Sequence, residues 1–517
     1  MQQITDTSYN HKYMDQTPIE KYPVYLTNSY SRQKEKFEPL NPSRIGIYLC
    51  GPTVYGDPHL GHARSALSFD IIVRYFRFLG FKVRYVRNIT DVGHLEDEIQ
   101  DSGEDKITKK ARLEQLEPME IVQHYTNRYH EAIAKLNALD PSIEPTASGH
   151  IPEQIKIIQE ILENGYAYET NGSVYFDLEK YAKEQPYGKL SGKVLDDLQA
   201  GSRDTQGLSE KRSPHDFALW KKASPEHIMR WDSPWGVGFP GWHLECTTMC
   251  TKYLGDEFDI HGGGLDLQFP HHEAEIAQSY GAFKKNPVRY WLHNNLITID
   301  GQKMSKSLGN FITLEQLYNG DHAKLEQAYS PMTVRFFILQ AHYRSPLDFS
   351  NQALQAAEKG LNRLMNAVKL LQKMDHQPSQ VDASLDDDLK KLCYSCYEHM
   401  SDDFNSAKVI ASLFEIASKI NAFYHQQLPL ESISADTFEL IQRTFNGFLF
   451  DVLGMQEEEK DDQSTRIDGL VNLLIEMRKD ARSNRDFATA DKIRDQLSGL
   501  GIQLKDEKGG TTTFSLE

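Results

Sequence analysis

The sequence predicts an α/β fold built on a parallel sheet. Residues 46–50 (GIYLC) are typical of a buried strand, and residues 82–88 are typical of a second one. Between them, residues 63–79 carry apolar side chains at three- or four-residue spacing, which indicates a helix that Gly80 ends. Strand, helix and strand together form a βαβ unit, the building block of parallel sheets.

The first junction of this unit carries a turn-rich loop, residues 51–58, followed by His59-Leu60-Gly61-His62. Open parallel sheets bind ligands at such junctions, so we expect a ligand site there. The loop contains no G-x-G-x-x-G pattern, which weakens a dinucleotide-binding alternative.

The chain is long enough for several domains. We predict a flexible N-terminal extension followed by a Rossmann-like domain in two halves, which an insertion separates. A lysine-bearing loop region, a helical bundle with long helical periodicities, a charged linker and a small C-terminal domain follow. The predicted bounds are 1–22 for the extension, 23–129 and 227–298 for the two halves, 130–226 for the insertion, 299–350 for the loop region, 351–455 for the bundle and 464–517 for the C-terminal domain.

Composition narrows the classes of protein. No apolar run approaches the length of a membrane helix, and the first twenty residues are polar, so a cytoplasmic protein is expected. Five cysteines suggest thiols or metal ligands rather than a disulfide scaffold. The net charge of −17 argues against general nucleic-acid affinity. Basic residues near the C-terminus are interleaved with acidic ones and favour a solvated, salt-bridged surface.

A second motif, Lys303-Met304-Ser305-Lys306-Ser307, lies far downstream of the histidine motif. Either motif alone is common, because short Lys/Ser runs are usually solvated loops. Together they suggest two sources of hydrogen-bond donors and positive charge for a triphosphate. The pair therefore predicts activation of a carboxylate by ATP, with Mg²⁺ accompanying the nucleotide.

Four scattered residues could hold zinc, since their side chains are of the types that zinc prefers. They are Cys50, Cys246, His271 and Glu275. The last two share one face if they lie on a helix. The alternative is that the cysteines are buried apolar residues and the histidine belongs to the core. Neighbouring residues compete as ligands, namely Cys250, His272 and Glu273, whereas Cys393 and Cys396 are interpreted as bundle residues.

The chain resembles the cysteinyl-tRNA synthetases, which are class I aminoacyl-tRNA synthetases. Besides the histidine and lysine motifs, the resemblance rests on segments that cover nearly the whole chain from about Tyr22. These are Cys50-Gly51-Pro52-Thr53-Val54-Tyr55, Arg87-Asn88-Ile89-Thr90-Asp91, Gly241-Trp242-His243-Leu244-Glu245-Cys246, Asp259-Ile260-His261-Gly262-Gly263-Gly264 and Pro270-His271-His272-Glu273-Ala274-Glu275.

The resemblance implies a two-step reaction that joins cysteine to its tRNA through cysteinyl-adenylate. We expect a monomer. It implies that one zinc ion sits on Cys50, Cys246, His271 and Glu275 and selects the thiolate. It implies ATP contacts from His59, His62, Gly262, Gly263, Lys303 and Lys306. It implies amino-acid contacts from Thr90, Trp242 and Asp266, and an anticodon-binding domain at the C-terminus. Four protein ligands would fill a tetrahedral site, so either the coordination expands or Glu275 loosens when cysteine binds.

Three departures from the family pattern and three rival functions accompany this hypothesis. Leu60 replaces the isoleucine of the usual signature, which should be harmless. Family members often follow the aspartate of Asp91 with two further aspartates and a lysine, where this chain has Gly93-His94-Leu95-Glu96-Asp97-Glu98. Phe514 stands where a tryptophan is expected. The rivals are a ligase of the same fold that joins cysteine to an amino sugar, a zinc hydrolase, and an RNA-binding protein with a decayed catalytic core.

Overall fold

A computed structural model describes residues 22–97, 102–193, 210–225, 227–304, 308–458, 462–483, 486–506 and 512–516. The predicted N-terminal extension therefore lies almost wholly outside the described residues, and so does Lys306. The chain forms two compact units, residues 1–456 and 457–517. None of the helices in the described part is both long and apolar enough to span a lipid bilayer.

The strands of the first unit are β1 (Tyr25–Asn28), β2 (Gln33–Lys36), β3 (Arg44–Leu49), β4 (Lys82–Arg87), β5 (Leu95–Asp97), β6 (Ser102–Asp105), β7 (Ala167–Thr170), β8 (Ser173–Phe176), β9 (Phe217–Lys222), β10 (Gly238–Pro240), β11 (Phe258–Gly264), β12 (Val288–Asn294), β13 (Ile297–Ile299), β14 (Gln302–Lys303) and β15 (Leu347–Phe349). Its helices are α1 (Leu60–Phe78), α2 (Lys106–Glu114), α3 (Pro118–Lys135), α4 (Ile151–Glu163), α5 (Leu178–Glu184), α6 (Trp242–Leu254), α7 (His271–Phe283), α8 (Leu314–Asn319), α9 (Pro331–Leu339), α10 (Asn351–Gln372), α11 (Ala383–Ser401), α12 (Ser406–Tyr424) and α13 (Ala435–Asn446).

The central sheet is parallel, as predicted, with the strand order β12-β11-β3-β4. From β3 the chain moves outward to β4 on one side, and from β11 it moves outward to β12 on the other. The strand order thus reverses between β3 and β11, and the carboxyl ends of these two strands flank the crevice where such sheets bind ligands.

The predicted βαβ unit is present as β3, α1 and β4. Gly80 follows α1 with a φ of 94°, the left-handed conformation that favours glycine at a helix end. Strand β12 is followed directly by β13, which joins β14 and β15 in a separate small sheet.

The insertion is built around a four-stranded antiparallel sheet with the order β10-β9-β8-β7. Because β9 pairs with β10, this sheet extends past the predicted boundary at residue 226. The predicted boundary at residue 129 falls inside α3, whose apolar face is continuous across it. A change in the sequence pattern predicts both boundaries, whereas the sheet and the helix continue across them.

The helical bundle shares one hydrophobic core with the Rossmann-like domain. Cys393 and Cys396 are fully buried there, as predicted, and burial raises the pKa of the Cys393 thiol to about 12. Arg335 of α9 links the two regions, because it forms a buried ion pair with Asp70 of α1 and also donates to the carbonyl of Leu453 in the bundle.

The second unit contains α14 (Asp462–Ser483), α15 (Phe487–Gly499), β16 (Ile502–Asp506) and β17 (Thr512–Leu516). The two strands form an antiparallel hairpin. Val471, Leu497 and Ile502 make its small core.

Candidate active site

A cavity of about 460 Å³ opens at the carboxyl ends of β3, β4 and β11. Most of the predicted site residues line it. They are Cys50, His59, His62, Thr90, Trp242, Asp266, His271 and Lys303. The cavity therefore brings together segments that are more than 200 residues apart, including both signature motifs.

The two signature histidines form the start of α1. The backbone N–H of Gly61 donates to His59 Nδ1 at 3.1 Å, and the backbone N–H of His59 donates to His62 Nδ1 at 3.2 Å. An Nδ1 that accepts a hydrogen bond carries no proton, so a neutral ring must carry its proton on Nε2. The rings stack at 3.9 Å between centroids, and burial lowers the pKa of His62 to about 4. Both rings are therefore set up as neutral Nε2–H donors beside a helix N-terminus.

The other predicted nucleotide contacts are placed differently. Lys303 lies at the exposed end of β14 and lines the cavity. Gly262 is required by packing, because a Cβ there would lie 1.9 Å from the ring of Phe69. Gly263 lies against His272, and Gly264 reaches the cavity wall. Nucleotide contact by Gly262 and Gly263 stays a prediction.

The four predicted metal ligands meet at the buried end of the cavity, with their ligand atoms all within 4.8 Å of one another. The Sγ atoms of Cys50 and Cys246 are 3.5 Å apart, and His271 Nε2 lies 3.2 Å from Glu275 Oε1. Tetrahedral zinc with ordinary bond lengths needs ligand separations of about 3.3–3.8 Å. The donor types and these separations fit zinc.

The charge balance of this cluster also favours a cation. Burial raises the pKa of the Cys50 thiol, and the neighbouring Cys246 and Glu275 raise it further. Burial would raise the pKa of Cys246 too, but its contacts with Cys50 and His271 bring it down to about 6. Without a metal the Cys50 thiol therefore stays protonated, and Cys246 and Glu275 raise the pKa of His271 against the effect of burial. A bound cation would take over this charge balance and release the protons.

A second ligand set shares two of these residues, namely Cys50 and Glu275, and adds His261 and His272. In this set His261 Nε2 lies 2.8 Å from Glu275 Oε2, a hydrogen-bond distance that orients the carboxylate. His272 Nδ1 lies 2.8 Å from His293 Nε2. The set offers one thiolate instead of two, so the predicted set is the better zinc site.

The sequence reasoning did not single out several residues around this cluster. Glu245 is buried, accepts a hydrogen bond from the hydroxyl of Thr90, and lines the cavity. His243 Nδ1 lies 3.1 Å from His271 Nδ1. The motifs quoted above contain Glu245, His243 and His261. Their spacing does not show whether they contact the predicted ligands or only pack in the core.

The segment that departs from the family pattern also reaches the cavity. Strands β5 and β6 pair with each other, and Glu104-Asp105-Lys106 at the end of β6 and the start of α2 supplies two acidic residues followed by a lysine. Asp105 caps α2 by accepting from the N–H groups of Ile107 and Thr108, and Lys106 lines the cavity.

Comparison with known proteins agrees with this geometry. The model of the class I (C) tRNA synthetase catalytic domain matches residues 36–359, and the DALR domain model matches residues 396–457. The cysteine–tRNA ligase of Bacteroides fragilis is 57% identical over 95% of this chain and 98% of its own length. That of Chlorobaculum tepidum is 46% identical over 95% of this chain and 98% of its own length.

Solved structures with low identity share the fold. Mycobacterium tuberculosis methionyl-tRNA synthetase, in complex with methionyl-adenylate, aligns with a TM-score of 0.54 at 14% identity, over 79% of this chain and 89% of its own. Thermus thermophilus arginyl-tRNA synthetase aligns with a TM-score of 0.51 at 15% identity, over 84% of this chain and 85% of its own. On its sequence relatives, which it matches along nearly their whole length, the chain belongs to the cysteine–tRNA ligase family of class I tRNA synthetases.

Proposed function

We propose that this protein activates cysteine with ATP and transfers the cysteinyl group to the 3′-terminal adenosine of its tRNA. One observation carries the proposal. A single cavity is lined at one end by Cys50 and His271 of the thiol-rich cluster and at the other by the neutral donors of His59 and His62. A thiol-bearing amino acid and a triphosphate placed at these ends would meet in the middle.

The first step is attack of the cysteine carboxylate on the α-phosphate, which releases pyrophosphate and leaves cysteinyl-adenylate. No protein nucleophile is required, so positioning and charge stabilisation supply the catalysis. The Nε2–H groups of His59 and His62 donate to phosphate oxygens, and Lys303 adds positive charge at the leaving group. Lys306 is assigned the same role by its motif, and Mg²⁺ is expected with the nucleotide.

Cysteine must be told from serine, which differs from it by one atom. A hydrophobic pocket separates such isosteres poorly. We assign zinc to Cys50, Cys246, His271 and Glu275, where it would supply a soft Lewis acid that binds a thiolate far better than a hydroxyl. Trp242 walls the same end of the cavity, while Thr90 and Asp266 lie where they can hold the polar groups of the amino acid.

The second step needs tRNA. We assign anticodon contact to residues 464–517, where unpaired bases could be read by stacking and by hydrogen bonds to their edges. Arg494 there is paired with Asp491 and Asp495, so the surface is less basic than its arginine content suggests. We expect a monomer, and we place the reaction in the cytoplasm, where translation uses its product.

The test is an ATP–pyrophosphate exchange assay with cysteine and serine, combined with zinc analysis of the purified protein. We expect exchange with cysteine, none with serine at equal concentration, and about one zinc ion per chain. Absence of cysteine-dependent exchange would refute the activation step. Exchange without zinc would leave activation intact but refute the account of selectivity.

The rival ligase for an amino sugar predicts the same exchange, so a second assay separates them. Radiolabelled cysteine should become acid-precipitable on a tRNA transcript carrying the cysteine anticodon. Matching along 98% of the length of the Bacteroides fragilis relative favours the tRNA substrate.

A further inference from the structure

Lys106 reaches the cavity through a small cluster that also contains Thr53, His94 and Trp242, all of which line it. Lys106 Nζ lies 2.7 Å from His94 Nε2, and Thr53 Oγ1 lies 2.6 Å from His94 Nδ1. The His94 ring stacks on the Trp242 indole at 4.1 Å with an angle of 8° between the planes.

The hydrogen-bond chemistry fixes the state of this cluster. A protonated lysine has no lone pair, so it must donate to His94 Nε2. His94 is then neutral, carries its proton on Nδ1 and donates it to the Thr53 hydroxyl oxygen. A neutral ring positions the ammonium group without cancelling its charge.

The backbone around the cluster is held in place. Asp105 accepts from the N–H of Gly93 at 2.9 Å while capping α2, which ties Gly93 to the start of that helix. Gly93 has a φ of 81°, and a Cβ there would lie 2.6 Å from the carbonyl oxygen of Pro240. His94 is 7% exposed. These contacts position His94 and Lys106, which distinguishes Lys106 from a surface lysine that lies near a cavity by chance.

The position of the cluster identifies the group it can bind. Trp242, on which His94 stacks, also contacts the ring of His271 at 4.4 Å, and Thr53 follows closely after Cys50. The cluster thus adjoins the thiol-binding end of the cavity. In cysteine the carboxylate is close to the sulfur, so an ammonium group here would meet that carboxylate.

Other cations that line the cavity are engaged in the fold. Arg64 donates to the carbonyls of Ile338 and His342, and Arg87 pairs with Glu144. Lys303 lies at the nucleotide end. The Lys106 cluster differs from them in its position, because it adjoins the thiol-binding end through the contact of Trp242 with His271.

We propose that Lys106, held by His94, binds the carboxylate of cysteine and thereby orients it for attack on the α-phosphate. Lys106 would contact the substrate directly, and His94 would act as a positioning residue. The inference rests on the proposed function, which it deepens by naming how the reacting carboxylate is held.

The test compares Lys106→Met with Lys110→Met, a control on the same helix whose lysine pairs with the partly exposed Glu114. Cysteine-dependent exchange gives the KM for cysteine and for ATP. Cysteamine, which lacks the carboxylate, serves as a competitive inhibitor against cysteine. We expect Lys106→Met to raise the KM for cysteine about ten- to a hundredfold, to leave the KM for ATP within about threefold, and to leave the Ki of cysteamine unchanged. Lys110→Met should change none of these.

A smaller change with the same pattern is expected for His94→Phe, which keeps the stack on Trp242 but cannot hold the lysine. Equal weakening of cysteine and cysteamine by Lys106→Met would overturn the inference, because it would indicate a structural role. The inference would also be overturned if Lys106→Met left exchange unchanged but impaired transfer to tRNA, because Lys106 would then act on the tRNA. If the parent enzyme shows no cysteine-dependent exchange, the proposed function itself fails.

Discussion

The two ends of the cavity are built in different ways. At the thiol end the side chains of Cys246, His271 and Glu275 are at most 2% exposed and stand on α6 and α7 beside the central sheet. At the nucleotide end His59 and His62 are half-buried and Lys303 is exposed. The thiol end is part of the hydrophobic core, whereas the nucleotide end is a partly exposed surface that a ligand would cover on binding.

This difference matches the two tasks. Discrimination between sulfur and oxygen by a metal ion requires protein ligands that hold the ion in place before the substrate arrives. Activation requires charge stabilisation that grows in the transition state, which half-buried donors can supply as the nucleotide excludes water. Variants at the two ends should therefore fail in different ways.

The largest effect is expected from Cys246→Ser. Loss of a zinc ligand should cost more than the roughly 10–100-fold in metal affinity that follows loss of a supporting residue. Zinc content and cysteine-dependent exchange should fall together. The matched control is Cys250→Ser, a buried cysteine on the same helix that bonds the carbonyl of Thr247. A Cys246→Ser protein with full zinc and full exchange would contradict the assignment of the ligand.

At the nucleotide end, His62→Ala should lower kcat for exchange by about 10²–10³-fold, because it removes a donor aimed at the phosphates. The KM for cysteine and the zinc content should stay unchanged, in contrast to Cys246→Ser. Since burial lowers the pKa of His62 to about 4, the ring of the free enzyme is neutral from pH 5.5 to 8, and kcat/KM for ATP should show no titration of His62 in that range. The exposed His124→Ala serves as the control. A fall in zinc content in His62→Ala would contradict the view that the two ends of the cavity fail in different ways.

The same contrast explains what the sequence could reveal. The βαβ unit, the histidine motif at its junction and the buried Cys393 and Cys396 follow from local spacing, which the printed sequence contains. The meeting of Cys50 with Cys246 depends on β3 pairing with β11, a contact across about two hundred residues that no local pattern records. The predicted ligand set therefore came from a family resemblance, and the alternative set with His261 could not have been excluded by spacing.

A smaller effect is expected from the residue that supports the thiol end from behind. His261 Nε2 lies 2.8 Å from Glu275 Oε2, and His261→Gln replaces the rigid imidazole with a more flexible amide. We expect zinc affinity to fall about 10–100-fold while the zinc-saturated enzyme keeps its preference for cysteine over serine. Competition with a chelator measures the affinity. His150→Gln, which removes another buried histidine bonded to the fold, should leave zinc affinity unchanged.

The smallest effect is expected from Arg128→Gln, which removes exposed ion pairs next to the nucleotide end. Arg128 of α3 pairs with Asp57 of the loop before α1 and with Glu315 of α8, and all three side chains are at least one-third exposed. Exposed pairs contribute about 0–1 kcal/mol each, because solvent screens them and side-chain order opposes them. Arg128→Gln should therefore lower the free energy of unfolding by about 2 kcal/mol at most and raise the KM for ATP by less than tenfold, with no change in zinc affinity. Denaturant titration and exchange kinetics check both values, and adding salt should narrow the difference between variant and parent. A loss comparable to that of His62→Ala would mean that the nucleotide end is as firmly preset as the thiol end.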